Sequence, residues 1–143
     1  AIIQESGDIG WIDWEHCGCR DPLDDLAWLL GDEWTPDDPD IESWLLERHL
    51  PAFAATRDLT TARDYLMTFG CLHLCIRLSL ILSNKGGGNW WNRATALAGD
   101  KVGVTQQEAQ RLCTRAARWA AASTEMQPLA PWFTTLGARI AAL

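Results

Sequence analysis

Apolar residues recur at helical spacing through most of this chain and alternate only at its start. Ile2-Ile3-Gln4-Glu5 and Ile9-Gly10-Trp11-Ile12 flank Ser6-Gly7-Asp8, whose small and polar residues are turn chemistry, so a short β-hairpin is predicted there. After a loop with Gly18 and Arg20, Asp21-Pro22 opens a helix as N-cap and first helical residue. Leu23, Leu26, Ala27 and Leu30 form its inward stripe and Gly31 its stop. An acidic loop over 32–38 precedes Asp38-Pro39, the start of a second helix with Ile41, Trp44, Leu45 and Leu50 inward, running toward Pro51. From about Thr61 to Asn84 the chain is apolar almost all round, which predicts the most buried helix of the fold. Lys85-Gly86-Gly87-Gly88-Asn89 is a loop. Thr105-Gln106-Gln107-Glu108 is a capping box, followed inward by Leu112, Ala116, Trp119 and Ala120. Pro128 to Leu143 reads as a last helix with Trp132, Leu136 and Ile140 aligned. The pattern gives a mainly α fold with a short N-terminal β-hairpin. Residues 1–20 hold the hairpin and its following loop, and 21–143 form the helical body.

Length and composition fit one domain or a large piece of one: 143 residues, 48% hydrophobic and 22% charged. The net charge of −7 is unevenly spread. Residues 1–83 carry 5 Lys/Arg against 16 Asp/Glu, whereas 84–143 carry 7 against 3. An acidic first half suits cations and repels nucleic-acid phosphates, so no nucleic-acid partner is expected. The bland alternative is a solvated acidic loop, since the stretch 32–40 alone supplies five of those carboxylates. Five cysteines (Cys17, Cys19, Cys71, Cys75, Cys113) are an odd number without a disulfide framework, consistent with reduced thiols in the cytoplasm. Tyr65–Leu82 is interrupted by His73 and Arg77 and is short for a membrane span, and no signal peptide is visible.

The chemistry concentrates in residues 9–27. A strand that delivers Asp13 at its end presents a hard oxygen ligand from a rigid edge, as Mg²⁺ requires; the alternative is that Asp13 caps the following turn. Ile12-Asp13-Trp14-Glu15, a short loop, and Asp21-Pro22-Leu23-Asp24-Asp25-Leu26-Ala27 together resemble the aminoglycoside phosphotransferase/choline kinase-like family, in order and separation. Direct motif coverage extends over about residues 2–30, and the helical remainder is compatible with the family.

The resemblance implies the C-terminal lobe of a protein-kinase-like fold and a transferase that moves a phosphoryl group from ATP or GTP to a hydroxyl of a small molecule. It implies that Asp13 holds Mg²⁺ on the nucleotide phosphates. Glu15 would support the metal's water shell or touch the acceptor, or else pair with Arg20. Asp25 would anchor the catalytic loop's backbone, and Asp21 would cap its helix. Both are structural anchors. Asp32, Glu33 and Asp37 would shape the acceptor site, which in some members takes cationic sugars. Neither the family's nucleotide-clamping lysine nor its His-x-Asp-x-x-x-x-Asn loop is present, because the three histidines precede Cys17-Gly18, Leu50-Pro51 and Leu74-Cys75. In the family that loop lies just upstream of the strand Ala1-Ile2-Ile3 resembles. The chain is therefore expected to lack the general base and the N-terminal lobe, and to be inactive alone.

Other patterns weigh less. His16-Cys17-Gly18-Cys19 offers three soft ligands, but a structural zinc site needs four. The glycines after Lys85 lack the Gly-Lys-Ser/Thr of a phosphate loop. His73 and Arg77, at i and i+4, read as core polar groups or as a rim of the acceptor pocket. Arg111, Arg115 and Arg118 do not make a DNA-binding helix pair in so acidic a chain. The competing reading is a non-catalytic helical binding or interaction module on the same scaffold.

Overall fold

A computed structural model describes residues 2–3, 6–7, 9–10, 21–33, 35–54, 56–85, 90–91 and 104–143. Strand β1 (Ile2–Ile3) pairs antiparallel with β2 (Ile9–Gly10), placing Ile2 opposite Gly10 and Ile3 opposite Ile9. Gly7, between them, has φ of 85°, a backbone angle that a side chain disfavours and glycine adopts freely. Everything else described is helix, turn or loop, so the fold is mainly α.

Helix α1 (Pro22–Gly31) starts as its sequence predicts. The Asp21 carboxylate accepts the Leu23 N–H at 3.0 Å, Pro22 needs no acceptor, and Asp24 and Asp25 sit at the positive end of the helix. Leu23, Leu26, Ala27 and Leu30 are buried. Helix α2 (Pro39–Phe53) is capped by Asp38, which accepts from the amides of Asp40 and Ile41. It continues through Pro51, one turn beyond the expected stop, and closes with the Ala54 N–H donating to the Leu50 carbonyl.

The inward face of α2 also differs from expectation. Ile41 and Trp44 are 55% and 56% exposed, whereas Leu46 and Leu50 are buried. The apolar residues Ile41, Trp44, Leu45 and Leu46 span more than one face, so periodicity alone could not choose. Glu42 decides it: one turn before Leu46, its carboxylate takes hydrogen bonds from Arg118 and the Trp119 indole, turning that side inward.

Helix α3 (Leu59–Lys85) contacts both α1 and α4 (Gln106–Ala122), and α5 (Ala130–Ala141) packs on α4 after a 3₁₀ turn at Gln127–Leu129. By length and composition α3 is apolar enough to cross a membrane, yet 44% of its most apolar window is buried against other helices. It is not buried all round. Ala62, Leu66, Met67, Cys71, Leu74, Leu78 and Ile81 face the core, while Leu72, Ile76 and Leu80 stand about half exposed on the far side. The more completely buried helix is α4, with Ala109, Leu112, Cys113, Ala116, Trp119 and Ala120 inside.

Helices α3 and α4 approach closely at Gly70, where any Cβ would overlap the Trp119 ring; that contact requires glycine. The capping box of α4 forms as predicted, with the Thr105 Oγ accepting the Glu108 N–H at 3.2 Å and the Glu108 carboxylate accepting the Thr105 N–H at 2.9 Å. In α5 the inward positions are Phe133 and Ile140, and Trp132, one residue off that line, is 53% exposed. Cys71, Cys75 and Cys113 are free thiols. Burial pushes Cys71 up to about 12 and Cys113 to about 11, which makes both inert small hydrophobes.

Candidate functional site

The acidic stretch that follows α1 is organised by arginines from two other helices. Arg115 projects from α4 with only 2% of its side chain exposed. Its guanidinium donates to the backbone carbonyls of Asp32 at 3.2 Å, Thr35 at 3.0 Å and Pro36 at 2.8 Å. Asp37 lies 3.5 Å from the Arg115 Nε and accepts from Arg118 at 2.8 Å. Arg118 also donates to Glu42 at 2.7 Å, and the other Glu42 oxygen accepts from the Trp119 indole at 2.8 Å. Near the start of the loop, Glu33 (4% exposed) is held by Arg77 of α3, whose Nε donates at 3.0 Å and whose Nη2 makes a second bond.

This network joins part of the acidic surplus of residues 1–83 to arginines of residues 84–143. Asp37 and Glu42 of the acidic half face Arg115 and Arg118 of the basic half, and Glu33 faces Arg77. Buried charges require this kind of pairing. Burial pulls the Arg115 guanidinium below its ordinary range, opposed by Asp37 and Glu42. Arg118 lies above its ordinary range, its hydrogen bonds to Asp37 and Glu42 outweighing the opposing effect of burial.

The expected site residues that fall within the described part of the chain take the following places. Glu33 and Asp37 both sit in internal ion pairs. Asp32 supplies its carbonyl to Arg115 and begins the loop after α1. Asp21 is the N-cap of α1 and also pairs with Arg57; that hydrogen bond holds its carboxyl below the usual range. Asp25 is exposed on the first turn of α1. Its neighbour Asp24 instead takes the Tyr65 hydroxyl at 2.8 Å, and burial together with this bond pushes that hydroxyl up to about 12. Asp13, Glu15 and the His16-Cys17-Gly18-Cys19 segment lie outside the described residues. Among the described residues, no three His, Cys, Asp or Glu side chains gather as a metal site would require.

Sequence reasoning missed the role of Arg115 and Arg118. Their spacing on an otherwise apolar helix face was the available signal, because arginines at core positions need carboxylate or carbonyl partners.

His73 sits beside this network, 6% exposed, with its ring 4.8 Å from that of Trp28. Burial lowers its pKa, helped by the neighbouring Arg77 and opposed by Glu33. Its folded pKa therefore lies below its unfolded value of about 6.5. The stability it contributes is complete above that unfolded value and is lost as pH falls toward the folded pKa, at up to about 1.4 kcal/mol per pH unit. His73→Gln is expected to flatten this part of the profile, as urea midpoints at pH 8, 6.5 and 5 would show. Parallel profiles for the two proteins would contradict it.

A cavity of about 510 Å³ lies elsewhere, between α2, the start of α3 and the end of α4. Compared with known protein families, characterised proteins and solved structures, the chain matches none.

Proposed function

We propose that this chain is the C-terminal part of a kinase-like phosphotransferase, one that moves a phosphoryl group from ATP or GTP to a hydroxyl of a small molecule in the cytoplasm. The observation that carries this reading is the paired motif, Ile12-Asp13-Trp14-Glu15 followed by Asp21-Pro22-x-x-Asp25-Leu26-Ala27. The geometry of α1 supports it. Asp21 and Pro22 start the helix, and Leu26 and Ala27 seat it in the core, so the motif's second half is a rigid element and not a loop. Asp25 is left exposed on that helix, available to a backbone brought from another part of the protein.

In this reading Asp13 holds Mg²⁺, whose charge supports the nucleotide phosphates, and Glu15 assists the metal or the acceptor. The acceptor site borders the 32–37 loop, but Glu33 and Asp37 shape that loop through Arg77 and Arg118 before they meet any substrate. A helical interaction module is the second reading, and one observation favours it. Trp28, Leu72, Ile76 and Leu80 are about half exposed on the neighbouring helices α1 and α3.

Phosphoryl transfer depends on positioning and on charge stabilisation, and in this family both draw on a lysine and a His-x-Asp-x-x-x-x-Asn loop that these residues do not supply. The purified chain is therefore expected to leave labelled ATP and GTP intact with Mg²⁺ and aminoalcohol or aminosugar acceptors. A longer natural protein that carries such a loop ahead of this chain is expected to turn over. Turnover by the chain alone, or an inert longer protein despite the loop, would overturn the assignment.

A further inference from the structure

The 510 Å³ cleft has the size of a small-molecule site, since such pockets run to roughly 300–1,000 Å³. Leu46 and Leu50 of α2 form its floor, and Pro51, Leu59 and Ala122 complete an apolar wall. Its polar groups are few: Glu47, Asp64 and Arg63, with the threonines Thr60 and Thr124.

The sign of the cleft follows from how these groups are engaged. One Asp64 oxygen accepts the Thr124 N–H at 2.7 Å, which fixes the carboxylate on the wall. Glu47 is exposed and accepts from Ser43 at 3.4 Å, within its own helix. The end of α4 at Ala122 adds the negative pole of a 17-residue helix. The opposing pole, the start of α3, is covered by Asp58, which takes the Thr61 amide and hydroxyl. Among the described residues Arg63 is the one cation in the lining, and it also borders a smaller cleft of about 150 Å³ beside Glu42 and Ser43. Two carboxylates and a helix C-terminus outweigh one exposed guanidinium, so the cleft is an apolar trough with a negative rim.

We propose that the cleft between α2, the start of α3 and the end of α4 binds a small organic cation with an apolar tail, its ammonium group held by Glu47 and Asp64. The tail lies on Leu46, Leu50 and Leu59. The site stands apart from the arginine-held loop, and it does not depend on the phosphotransferase reading: either is able to fail without the other.

The test is an amide-shift titration of the whole chain with n-hexylammonium, hexanoate and hexan-1-ol, three probes of equal tail and different head charge. The expected result is saturable shifts at Leu59, Thr60 and Thr124 with the ammonium probe and weaker binding of the other two. Glu47→Gln, on an exposed side chain, is expected to weaken the ammonium probe about tenfold, the size of a lost charged hydrogen bond. Ala122→Trp is expected to fill the trough and abolish binding while the rest of the spectrum stays dispersed. Hexanoate binding as tightly as the amine would overturn the proposal. So would unsaturable shifts spread over the surface, or an unchanged affinity in Glu47→Gln.

Discussion

Replacing Arg115 by alanine is expected to remove about 3–5 kcal/mol of folding stability, the range found when one partner of a buried ionic network is taken away. The reason lies in what stays behind. The carbonyls of Asp32, Thr35 and Pro36 lose the donor that holds them to α4, and they are backbone groups that cannot turn elsewhere without unmaking the loop. Asp37 keeps Arg118, so the loss is smaller than for a fully orphaned carboxylate. A cavity also opens beside Trp119, because the aliphatic stem of Arg115 is buried with its head. Arg115→Lys should fall between, since one ammonium group cannot reach three carbonyls with the fixed fork of a guanidinium. Arg118→Ala should cost less than Arg115→Ala, as its side chain is 29% exposed. Urea midpoints at unchanged slope would measure all three. A loss below 1 kcal/mol for Arg115→Ala would mean that the loop is held by other means.

Helix starts were legible because their chemistry is local. Asp21-Pro22, Asp38-Pro39 and Thr105-x-x-Glu108 each satisfy free amides with a side chain a few residues away, and all three caps form. Helix faces were less legible because they depend on partners far along the chain. Nothing near Trp44 says that Glu42 will turn toward Trp119, 77 residues away, yet that bond helps set which side of α2 is buried. The same holds for α3, where an almost continuous apolar pattern suggested burial all round. Periodicity cannot separate a helix enclosed by its own chain from one with an apolar side left open, and Leu72, Ile76 and Leu80 fall on the open side.

The candidate site divides in the same way. That acidic residues gather after α1 is visible in the sequence, and their sign alone is compatible with a site for cations or with a solvated acidic loop. What sign cannot show is prior engagement. Glu33 and Asp37 are paired across 44 and 81 residues, with Arg77 and Arg118. The carboxylates beside a sizeable cavity, Glu47 and Asp64, make only local or backbone hydrogen bonds among the described residues and lie on ordinary helical stretches where no motif marks them.

Asp13→Asn in a complete phosphotransferase carrying this chain is expected to lower turnover by roughly a hundredfold or more while leaving the melting temperature nearly unchanged. Asparagine keeps the shape and the polar oxygen, so neither packing nor backbone geometry gives a reason for unfolding. It removes a full negative charge from the position at which the family resemblance places the Mg²⁺ ligand, and hard divalent cations depend on carboxylate oxygens for affinity. Glu15→Gln, two residues on, should be milder, since that carboxylate would act through the metal's water shell or the acceptor. The pair separates metal support from general surface charge, because each variant removes one negative charge from the same segment. Single-turnover rates at saturating nucleotide, taken across a Mg²⁺ series, provide the comparison. The expected result is a large defect for Asp13→Asn, partly relieved by high Mg²⁺, beside a small one for Glu15→Gln. Equal, modest defects would point to electrostatics spread over the segment, and near-parental turnover by Asp13→Asn would remove the metal assignment together with the kinase-like reading that depends on it.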